Sequence, residues 1–162
     1  KEFITHKMMR NWLNNRFGIN LSENDLTSIK DFALIWNVFE SNVCLSNFSI
    51  QTVEQELQNR QFDINDFQTF LNYFSNRYVT SGKVNGRFQH LNFRKNDRKE
   101  LVENVLLGNN NNVRENVLAL VIIVYRFRNN LFHGVKNMQV IDEQKENFEN
   151  ANAFLKILLD RI

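Results

Sequence analysis

Apolar residues recur along most of this chain at intervals of three and four, the spacing that gathers side chains on one side of an α-helix. Ile4, Met8 and Trp12 mark one face of a first helix, from about Phe3 to Phe17, that stops at Gly18. Ser22, followed three residues later by Asp25, reads as the capping signal of a second helix reaching about Cys44. Its apolar stripe is Leu26, Ile29, Phe32, Ala33, Trp36, Val38 and Phe39. A third helix starts after Ser49 with Val53 and Leu57, and a fourth follows Asp63 with Phe67, Phe70, Leu71, Phe74 and Tyr78 turned inward. The pattern lapses from Gly82 to Asn96, where Asn85-Gly86 marks a turn. Helical spacing returns from Asp97 to Leu107 and ends at Gly108. Asn112 caps a central helix, Val113 to His133, and a last helix from about Asp142 carries Phe148, Ala151, Phe154, Leu155 and Leu158.

No convincing run alternates as a half-buried strand does. These elements predict an all-α fold, a single-domain helical bundle of six to seven helices over residues 1–162, without linker or internal repeat. The run from Val117 to Tyr125 has no polar face and therefore belongs in the interior.

Composition agrees with that picture. The chain has no proline and 5 glycines, too few for a turn-rich sheet protein. Asparagine is abundant, much of it in loops and on solvated helix faces; it reads mainly as a coding bias, with Asn109 to Asn112 as a short low-complexity loop. The lone Cys44 excludes an internal disulfide framework and reads as a small packed hydrophobe, which suits a reducing cytoplasm. The longest apolar run falls far short of the ~20 residues that span a bilayer, and the amino end lacks a secretory pattern, so no membrane association is expected. A formal charge of +2 is too small to indicate nucleic acid by itself.

Candidate chemistry concentrates where the central helix leaves the core. Arg126, Arg128, Asn129, Asn130, His133 and Lys136 follow the apolar run within about three turns. A permanently charged guanidinium and the side chain that titrates near neutrality can together hold a phosphodiester and move a proton beside it. The same cations would also offset the negative pole of the helix dipole, with Gly134 as an ordinary left-handed cap. Asparagine is a poor helix former, and two in one turn are more than a helix end requires. Asn129 stands one turn before His133 and shares its face, while Arg128 is offset around the helix. The dipole favours protonated His133, as a proton donor to a leaving oxygen needs.

The segment Arg128-Asn129, three residues and His133 resembles the signature of the HEPN superfamily (higher eukaryotes and prokaryotes nucleotide-binding): arginine, a polar residue, a variable stretch and histidine. The apolar helix before it and Phe32 to Glu40 on an earlier helix extend the likeness. The resemblance implies a metal-independent endoribonuclease that cleaves RNA by transesterification, leaving a 2′,3′-cyclic phosphate, at a composite site in a homodimer. Arg128 would bind the scissile phosphate, His133 would act as general acid or base, and Asn129 would orient one of them. Asn130 would support the site, and Glu40 would pair with Arg128 or remain a solvated acid. A toxin, antiphage or stress role, with an antitoxin or other inhibitor as partner, follows from family habit alone. Toxins of the family that are modified on tyrosine carry it two residues after the histidine. Val135 stands there, so no tyrosine-modifying antitoxin is expected. The alternative is a non-catalytic module of this fold that binds RNA, nucleotide or protein.

A second region interleaves cations and aromatics: Lys83, Arg87, Phe88, His90, Phe93, Arg94, Lys95, Arg98 and Lys99. Lys83, Arg87, Arg94 and Lys95, with Arg126 and Lys136, are candidate RNA contacts. Phe88, Leu91 and Phe93 read as anchors of this loop. His6, His90 and His133 lack metal-ligand spacing, and neither a metal nor another cofactor is expected.

Overall fold

Each run of helical spacing becomes a helix. The computed structural model describes residues 2–132 and 144–162, residues 2–8 by their backbone alone. In chain order come α1 (Glu2–Phe17), α2 (Glu23–Val43), α3 (Ile50–Gln58), a 3₁₀ turn (Ile64–Asp66), α4 (Gln68–Tyr78), the two-residue strands β1 (Val79–Thr80) and β2 (Lys83–Val84), α5 (Gly86–Gln89), α6 (Lys99–Leu106), α7 (Val113–Phe132) and α8 (Lys145–Leu159). No described helix is long and apolar enough to cross a membrane.

α7 forms the axis of the bundle. Every residue from Asn116 to Val124 is buried, with α3, α4 and α6 packed around it and α8 lying along α2 and α4. Phenylalanines fill the spaces between layers: Phe127 meets Phe74 of α4 at 5.8 Å and Phe148 of α8 at 6.3 Å, and Phe32 of α2 meets Phe148 at 5.1 Å. Cys44 is buried, and burial pushes its thiol up to about 11, as befits a packed hydrophobe.

The expected capping signal of α2 is present in full. Ser22 Oγ accepts from the Asp25 N–H at 3.1 Å, and the Ser22 N–H donates to Asp25 Oδ2 at 2.7 Å. Ser22→Ala should lower unfolding free energy by about 1 kcal/mol. Urea titration should show this as a lower midpoint with an unchanged slope, and an unaltered midpoint would mean that the cap carries no stability.

Three expectations need correction. Trp12 is 57% exposed, and it is the next residue, Leu13, that packs on the body, against Leu21 and Leu26. Val38 of α2 is likewise exposed. Asn85-Gly86 does not make the turn: Ser81 and Gly82, at φ 52° and 72°, link the strands, while Asn85 caps α5 by accepting the Arg87 N–H at 3.0 Å. Asn116, Asn129, Asn130, Asn147 and Asn152 stand apart from the asparagines of loops and solvated faces, since all five are buried. Several of these tie elements together, as Asn152 of α8 does by donating to the Ser28 carbonyl of α2 at 3.0 Å.

Candidate active site at the end of the central helix

In the last two turns of α7, Arg126, Asn129 and Asn130 are buried while Arg128 points the other way and is half-exposed. Successive residues on a helix are rotated by about 100°, so Arg126 and Arg128 point nearly opposite ways while Arg126 and Asn130 share a face.

Arg126 and Asn130 face inward. Arg126 is 2% exposed, and its guanidinium is filled by the loop joining α5 to α6. Nε donates to the Leu91 carbonyl at 3.0 Å, Nη2 donates to the Asn92 carbonyl, and Nη1 lies 2.8 Å from Asp97 Oδ2. Burial draws this guanidinium below its ordinary pKa, and the Asp97 carboxylate opposes that shift. Asp97 Oδ2 also accepts the Arg94 N–H at 2.7 Å. One turn on, the Asn130 amide donates to the carbonyls of His90 at 3.0 Å and Leu91 at 3.3 Å. Arg126 is therefore not the RNA contact that the sequence suggests, and Asn130 braces a loop backbone. Both residues satisfy carbonyls that leave regular structure at α5, the task that buried polar groups must perform.

Arg128 and Asn129 form the other group. Arg128 is half-exposed, its Nη1 donates to Asn129 Oδ1 at 3.1 Å, and its guanidinium carbon lies 5.7 Å from the centre of the exposed Phe132 ring. Asn129 itself is buried, and its Nδ2 has no hydrogen-bond partner among the described residues. The pair thus presents one guanidinium, steered by the oxygen of a buried amide. Such a pairing can grip an oxyanion. His133 and Lys136 lie outside the described residues.

Glu40 is not joined to Arg128 by an ion pair among the described residues. It is half-buried at the end of α2, where Oε1 accepts the Phe48 N–H at 3.3 Å and closes the turn into α3. It acts as a local backbone acceptor and not as a solvated acid.

The cations of the second region separate from its aromatics. Lys83, Arg87, Arg94 and Lys95 are exposed. Phe88 is fully buried, against Tyr78 at 6.3 Å and Phe93 at 5.1 Å, so the aromatic side of the loop is its anchor. Asp97 is the residue that sequence reasoning missed. It is the sole acid between Arg77 and Lys99, and that isolation among cations was the available signal. No protein-family model, characterised relative or solved structure matches the chain.

Proposed function

We propose that the protein is a metal-independent endoribonuclease of HEPN type, working as a homodimer in which two α7 ends meet over the RNA. The observation that carries this reading is the Arg128–Asn129 pair, held at the exit of a core-embedded helix and four to five residues before His133. Arg128 grips the scissile phosphate and offsets the charge that builds on it during transesterification. His133 takes the proton from the attacking 2′-hydroxyl or gives one to the departing 5′-oxygen. Asn129 fixes the Arg128 rotamer. A helix so thoroughly buried supplies the rigid mounting that such placement demands.

The test is incubation of purified protein with single-stranded RNA in excess EDTA, with the product ends mapped. Fragments ending in 2′,3′-cyclic phosphate are expected. Intact RNA, or equal cleavage by wild type and by a double Arg128→Ala/His133→Ala variant, would overturn the assignment. The second reading, a non-catalytic RNA-binding module, is favoured by the exposed cations of the 83–95 segment, which can bind a polyanion without any proton transfer. Tight binding without cleavage selects it.

A further inference from the structure

Charge is divided unevenly along this chain. Seven of the 20 lysines and arginines but one of the 18 acids lie within residues 77–99, a formal +6, so that the remaining residues together carry −4. The one acid, Asp97, is buried and already faces Arg126. Arg98 is answered by Glu54 at 2.7 Å. Lys83, Arg87, Arg94, Lys95 and Lys99 are exposed, and none forms an ion pair with a carboxylate among the described residues.

The backbone under these cations is held fast. Asn92 and Arg98 adopt left-handed conformations at φ 53° and 52°, and the carbonyls of residues 90, 91 and 92 are taken up by Arg126 and Asn130. Phe88 plugs the loop into the core beneath the Lys99 ammonium, which lies 5.9 Å from the ring centre. A loop fixed in this way loses little freedom when it binds. None of the large exposed hydrophobics belongs to the segment, so it has nothing to insert into a bilayer. Phe93 packs on Phe88 at 5.1 Å as part of the anchor, while the exposed His90 ring in the same segment is a platform for an unpaired base.

The geometry points to a single-stranded RNA docking surface on residues 83–99, separate from the Arg128 group on the opposite side of α7. The inference shares its substrate with the ribonuclease reading but none of its chemistry. Phosphates track the cations, on a loop whose backbone Arg126 and Asn130 hold fixed.

The experiment uses fluorescence anisotropy with a single-stranded 2′-O-methyl oligonucleotide, which keeps phosphates and bases but lacks the attacking hydroxyl. Wild type should bind with an affinity that falls steeply between about 50 and about 200 mM salt. Arg87→Ala/Arg94→Ala/Lys95→Ala should bind at least ~10-fold more weakly, with a salt slope shallower by about two. A control that removes cations elsewhere, Arg16→Ala/Lys156→Ala, should bind as wild type does. Equal weakening in the control, or no binding by wild type, overturns the proposal. So does loop-dependent binding to phosphatidylserine vesicles without binding to the oligonucleotide. Loop-dependent binding by a protein that leaves ordinary RNA uncut upholds this surface and removes the nuclease.

Discussion

Arg126→Ala should destabilise the protein by about 3–5 kcal/mol, the usual cost of leaving one partner of a buried ion pair alone. The substitution strands the Asp97 carboxylate, itself 6% exposed, and takes the donors from the Leu91 and Asn92 carbonyls. For a domain of this length the thermal midpoint should drop by roughly 6–20 °C. Asp97→Ala should cost a similar amount, because it leaves the guanidinium unpaired and the Arg94 N–H without its acceptor. The double variant should lose less than the sum, since it no longer buries a lone charge. Calorimetry on all three completes the cycle. A loss below about 1 kcal/mol for Arg126→Ala would mean that the side chain faces water, and would return it to the set of RNA contacts.

Arg128→Ala should leave the fold intact and remove cleavage. Its side chain is half-exposed and gives up one hydrogen bond, to the buried Asn129 amide, so stability should fall by only about 0.5–1.5 kcal/mol. Loss of a group that stabilises transition-state charge typically lowers turnover by about 10²–10³, and loss of a general acid or base such as His133 by about 10²–10⁴. Arg128→Lys should recover part of the rate, because an ammonium keeps the charge but loses the planar fork. Cleavage rates under single-turnover conditions, set beside melting curves, separate the cases. Full activity in Arg128→Ala would place the chemistry elsewhere, and parallel losses of rate and stability would make Arg128 a structural residue.

The helices were legible because each amphipathic run carries its own phase, and Ser22, Gly18 and Gly108 mark ends by local geometry. α7 is different. A helix apolar on every side from Val117 to Val124 gives no indication of which face meets water first on leaving the core. Arg126 and Asn130 therefore look the same in sequence as Arg128 and Asn129, and only the packing of the 90–97 loop sorts them. The strands β1 and β2 escaped notice because two residues cannot establish an alternation. Trp12 misled for another reason. Periodicity says that a face is apolar, not that a neighbour exists to cover it.

The attachment of α1 has a consequence for the whole molecule. Reciprocal bonds between the Asn14 amide and the Leu21 backbone, at 2.9 and 3.1 Å, and an Arg10–Glu23 contact at 3.2 Å hinge it to the start of α2. Beneath it lies a cluster of its own, Leu13, Ile19, Leu21, Leu26, Ile29 and Leu131, beside the phenylalanine core. The described side chains of α1 rest on this small cluster while α7 is buried throughout its centre, so the amides of α1 should exchange with deuterium well before those of α7. Exchange of both helices at one common rate would contradict this. Because Leu131 belongs to the last turn of α7, this small cluster also braces the turn that carries Arg128, tying the start of the chain's first hairpin to the candidate site.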